Sequence, residues 1–183
     1  MGAQLFFHTS AYTSDPNVAL ESLQATELDG YDLPEMVASN LASSQRAFDD
    51  TPEGDEYGLH DHYKAELERA KLIASEPIPT DFRGRLHLVR RLHADTGQGI
   101  GNILDVEGIA GNDGAGWSAA KPLAPVGVIA KFGSGKLLSS KAHEYAGIAN
   151  EWLGRGECIC FPLYANTDED DPVEWCFVGN TVD

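Results

Sequence analysis

The sequence predicts an α+β fold: a single compact domain with a helix-rich N-terminal half and a small, mainly antiparallel sheet contributed largely by the C-terminal half. Three observations predict it. Through residues 16–75, apolar side chains recur three and four positions apart behind helix-start signals. Near the C-terminus two short aromatic- and cysteine-bearing runs, 158–165 and 174–178, flank an acidic turn. The length of 183 residues, with 42% hydrophobic and 23% charged content, suits one globular core. Composition divides residues 1–183 into an acidic helical part, 1–80, a basic and glycine-rich middle, 81–125, and a β-α-β-β part, 126–183.

The elements follow in order. Residues 4–8, rich in Leu and Phe, read as a strand. A helix then starts where Asp15 caps and Pro16 fits the first turn, with Ala19, Leu20 and Leu23 on its apolar side. A second starts at Asp32, followed by Pro34 and by Glu35 three positions on, and lines one face with Val37, Leu41, Ser44 and Phe48. The run 49–56 places five acids around Pro52 and Gly54 and reads as a solvated loop. A third helix is expected over about 60–75, ended by Pro77 and Pro79. Residues 82–92 satisfy both periodicities, and Leu86, Val89 and Leu92 favour a helix. Seven glycines between positions 97 and 116 surround the island Ile103-Leu104. Residues 126–132 read as a strand broken at Gly133, after which Ser139 or Ser140 caps a helix carrying Tyr145, Ile148, Ala149 and Trp152. A final hairpin centred on Asp168 would set Cys160 opposite Cys176 and Phe161 opposite Trp175.

Charge is the dominant bias: 29 acids against 13 bases give −16. Such an excess repels phosphate backbones and acidic membrane surfaces, so direct nucleic-acid and membrane binding are disfavoured and a basic partner is favoured. The acid is uneven. Residues 1–80 carry −11, residues 81–131 carry +1 and residues 132–183 carry −6. No apolar run approaches a membrane span, and the start MGAQLFFHTS has neither a basic region nor a long apolar core, so a cytoplasmic protein is expected. Three cysteines, Cys158, Cys160 and Cys176, fit no common zinc spacing and read as buried thiols on strands.

Candidate chemistry is sparse. His60-Asp61-His62 with Glu66 could place two ligands one turn apart, but a solvated helix start explains the same letters. His143-Glu144 lacks the second histidine of a zinc helix, because Gly147 stands there. In KFGSGKLL, residues 131–138, Ala130 and Leu137 replace the glycine and hydroxyl that a phosphate loop requires. Arg83, Arg85, Arg90 and Arg91, with His87 and His93, could clamp an anion beside the glycine-rich segment, or pair with the surplus carboxylates. Phe6-Phe7-His8-Thr9-Ser10 resembles the opening of some ADP-ribosyltransferases, a resemblance that implies a histidine contacting NAD; a strand-end histidine before turn-forming residues is the competing reading.

These residues lead to a soluble acidic binding protein of the inhibitor, immunity or nucleic-acid-mimic type, which engages a basic surface of a partner protein through Asp49, Asp50, Glu53, Asp55 and Glu56. No metal and no cofactor is expected. The alternative is an enzyme that binds an anionic small molecule through the Arg83–Arg91 island, with Arg90 and Arg91 as the anion ligands, and the glycine-rich loop, with His8 or the pair His60 and His62 in acid–base or metal chemistry.

Overall fold

The computed structural model describes residues 5–55, 57–94, 100–110 and 119–180. The fold is α+β, and the chain falls into two compact units, Met1–Glu27 with Gln98–Asp183, and Leu28–Gly97. Among the described residues, no helix is long and apolar enough to cross a membrane.

The first unit is a mixed sheet with helices on both faces. Its strands are β1 (Leu5–Ala11), β2 (Gly108–Ile109), β3 (Ala119–Pro122), β4 (Leu137–Leu138), β5 (Cys158–Tyr164) and β6 (Glu174–Asn180), in the order β1-β6-β5-β3-β2 with β4 also on β5. The long strands β1, β6 and β5 pair antiparallel, while the short β2, β3 and β4 join in parallel. Helix α1 (Pro16–Leu28) starts as read, with the Asp15 carboxylate accepting from Asn17 N–H at 2.9 Å.

The β5–β6 register differs by one residue from the sequence reading: Cys160 faces Phe177 and Phe161 faces Cys176. The reason lies in the turn, where Asn166 Oδ1 accepts from both Asp168 and Glu169 N–H, at 2.9 and 3.0 Å, and moves the centre beyond Asp168. A one-residue slip exchanges faces. Cys176 therefore packs with Ile159, Phe161, Leu163 and Val178 on one side, while Cys158 and Cys160 pack with Trp175 and Phe177 on the other.

The Phe161 face is covered by α5 (Pro125–Phe132) and α6 (Ala142–Asn150), which supply Val128, Phe132, Tyr145 and Ala149. Residues 126–132, expected as a strand, are thus helical. The β-branched letters suggested a strand, but Pro125 sets the first turn, Val128 and Phe132 fall on one side, and Gly133 at φ 74° caps the end by donating to Ile129 C=O at 2.9 Å. Ser139 and Ser140 do not cap α6. They form a 3-10 turn, Ser139–Lys141, that leads into it without a side-chain cap.

The opposite face is covered by Ala19 and Leu20 of α1 and by Ile103 and Val106. The buried Gln24 amide fixes that segment, donating to Ile103 C=O at 3.1 Å and Val106 C=O at 2.6 Å. Asp105 gathers the start of the glycine-rich stretch by accepting from Ile100 and Gly101 N–H, both at 2.8 Å. Of that stretch, Gly97, Gly99, Gly111, Gly114 and Gly116 lie outside the described residues.

The second unit is helical: α2 (Leu33–Asp49), α3 (Leu59–Ser75) and α4 (Phe82–Ala94). Asp32 caps α2 by accepting from Glu35 N–H at 3.1 Å, and Asp81 does the same for Gly84 N–H at 2.9 Å ahead of α4. The ambiguous residues 82–92 are helical, burying Leu86, Leu88, Val89 and Leu92. Gly84 permits a close approach, since a Cβ there would come within 2.6 Å of Pro79 Cβ.

Candidate binding face and the arginines of α4

The acidic turn joins α2 to α3. Asp49 and Asp50 close α2 as exposed side chains, and Asp49 accepts from Gln45 Nε2 at 2.8 Å. Glu53 is exposed at the tip. Asp55 behaves differently from its neighbours. Its Oδ1 accepts from Tyr57 and Leu59 N–H at 3.0 and 2.9 Å, and its Oδ2 accepts from His60 N–H at 2.8 Å. These amide bonds, led by that of His60, hold the Asp55 carboxyl below its ordinary pKa. Gly54 and Gly58, at φ 77° and 69°, allow the chain to wrap around that carboxylate. Asp55 thus holds the first-turn amides of α3, whose N-cap position is Gly58, and the outward-facing acids are Asp49, Asp50 and Glu53. Glu56 lies outside the described residues.

The histidine cluster divides. The ring of His60 packs on Phe48 at 4.9 Å between centroids, which ties the start of α3 to the end of α2. His62 Nε2 lies 3.1 Å from Glu66 Oε1, the one-turn spacing read from the sequence. Among the described residues, no group of three or more His, Cys, Asp or Glu side chains could hold a metal ion.

Two arginines of α4 are engaged with carboxylates. Arg85 donates to Asp29 at 3.1 Å and to Leu28 C=O at 2.8 Å. Arg91 grips Glu76 through both guanidinium ends, at 2.6 and 3.2 Å, and this pairing lowers the Glu76 pKa. Arg83 and Arg90 also have partners. Beside the Glu76–Arg91 pair runs a groove of about 290 Å³, mostly apolar, lined by Val37, Ile73, Ile78, Leu88 and His87 among others. Sequence reasoning missed this groove, because residues of three separate helices and the proline linker, from Val37 to Arg91, build it.

Within the helical unit the two candidate chemistries stand apart. His60 and His62 occupy the first turn of α3, and Glu76, which holds Arg91, follows its last. A helix of 17 residues spans about 25 Å.

His8 belongs to the sheet unit. It sits in the middle of β1 opposite Phe177, since pairing with β6 continues to Ala11 and leaves no strand end there. Burial lowers its pKa, and Glu27 partly offsets that shift. The three cysteines are buried free thiols. Burial raises all three, Cys160 to about 12, which leaves thiolate chemistry suppressed at neutral pH.

No protein family, no curated protein and no solved structure matches the chain.

Proposed function

We propose that the chain is an acidic binding protein that engages a basic surface of a partner protein through the turn between α2 and α3. The observation that carries this reading is the division of labour in the turn. Asp55 commits its carboxylate to three backbone amides at the start of α3, while Asp49 and Asp50, at the end of α2, and Glu53 face outward. Clustered outward carboxylates accelerate encounter with a basic partner. The enzyme alternative has less support, since His60 and His62 lie a helix length from Arg91 and the anion-binding guanidinium already holds Glu76.

The test is retention of a cell-lysate partner on the immobilised full chain, at low and high salt, beside the triple variant Asp49→Asn, Asp50→Asn, Glu53→Gln. A basic protein retained at low salt, released by salt and retained at least about tenfold less by the variant is the expected result. Nothing retained at low salt, or equal retention by the variant, ends this reading.

A further inference from the structure

The two edges of the sheet are finished differently. On one side the sheet ends in β2 and β4, each two residues long, and Ile109 N–H of β2 donates to Asn17 Oδ1 at 3.3 Å. A very short strand with an amide taken by a side chain is how sheets blunt an edge. On the other side lies β1, seven residues long and paired to β6 along its whole length. Among the described residues, its backbone makes no hydrogen bond except those to β6. Its residues, Leu5, Phe6, Phe7, His8, Thr9, Ser10 and Ala11, include no Lys, Arg, Asp, Glu or Pro, the usual guards of an edge. Both faces of β1 are already occupied, with Leu5 and Phe7 on the α6 side and Phe6 on the α1 side. Among the described residues, what is left open is the outward row of backbone donors and acceptors.

We propose that a second copy of the chain pairs its β1 antiparallel to this β1, joining the two sheets across a two-fold axis. Antiparallel self-pairing is isologous, so it closes at two copies. Charge selects this occupant. An extended basic segment would find no carboxylate on β1, whereas a second β1 presents an uncharged strand to an uncharged strand. The lowered pKa of His8 keeps that ring neutral at pH 7. The sheet unit as a whole carries 15 acids and 5 bases, so the two copies repel outside the strand. Pairing of seven residues falls short of the roughly 1,200 Å² of a standard stable interface, so the dimer is a weak one. Salt screens the repulsion and strengthens it. That sign is opposite to the salt dependence of a basic partner at the acidic turn, so the two readings fail separately.

Sedimentation velocity of the full chain over about two decades of concentration, at low salt and at roughly 0.5 M salt, tests this. A monomer–dimer equilibrium that tightens with salt is expected. Thr9→Lys, which sets like charges on facing strands, should weaken it by about tenfold or more. Ile109→Lys, at the far edge, should leave it unchanged. Ala11→Lys, at the exposed end of β1, serves if Thr9→Lys fails to fold. Amide exchange of the unmodified chain, dilute and concentrated, should show added protection confined to residues 5–11. A wild type monomeric at every concentration, folded β1 variants that dimerise like it, or added protection elsewhere overturns the proposal.

Discussion

The sheet unit and the helical unit hold themselves together by different means. The sheet unit buries large side chains on both faces, with Phe161 and Phe177 at 0% exposure and clusters on either side. The helical unit relies more on its ends. Asp32, Asp55 and Asp81 accept first-turn amides of its three helices, Arg85 ties Asp29 and the Leu28 carbonyl, and Arg91 ties Glu76. Net charge therefore misstates how much acid the helical unit offers to a partner. Asp29, Asp32, Asp55, Glu76 and Asp81 are committed to the fold, whereas Asp49, Asp50 and Glu53 face water.

Three measurements bear on this contrast. The largest effect is expected from Phe161→Ala, which should cost the sheet unit about 3–5 kcal/mol in denaturant unfolding followed by tryptophan fluorescence. All three tryptophans belong to that unit, so the signal reports it alone. Leu67→Ala, in the helical unit, should cost about 2–3 kcal/mol by far-UV circular dichroism, because the smaller helical core relaxes around the loss. A cost equal to that of Phe161→Ala would erase the distinction. The smallest effect separates the units by pH. His8 has its pKa lowered from 6.5, so the unfolded chain takes up that proton first, and the stability of the sheet unit should fall as pH drops below about 6.5. Asp55 and Glu76 are lowered from 3.8 and 4.5, so the helical unit keeps their contributions above those values and loses them as pH falls further. Acid titration should disturb tryptophan fluorescence, together with the part of the helicity that α1, α5 and α6 contribute, before the helicity of α2, α3 and α4 is lost, and His8→Gln should remove the earlier phase. A single transition that carries all of both signals would contradict the assignment.

Much of the helical unit is legible in the sequence, because its helices carry local punctuation. Asp32 with Glu35, Pro77 after α3, and the Leu86, Val89, Leu92 spacing all act within a few residues. The sheet unit is less legible where tertiary packing overrides propensity. Val126, Val128 and Ile129 favour a strand by composition, yet Pro125 and the packing of Val128 and Phe132 make α5. The β5–β6 register depended on one side chain, Asn166, that no alternation pattern exposes. The acidic turn was visible as a charge run, but the separate role of Asp55 required two left-handed glycines and a carboxylate reaching five residues forward. The open edge of β1 is a property of strand order, which sequence spacing does not encode.

The cysteines give the protein an internal clock. Cys158, Cys160 and Cys176 are all buried, all free, and all in the sheet unit, on both of its faces. A thiol reagent in native buffer can modify them only when that unit opens, and labelling of the second and third thiols records whether opening exposes one face or both. The helical unit contributes nothing to that signal, so the modification rate of a native sample reads the opening frequency of the sheet alone.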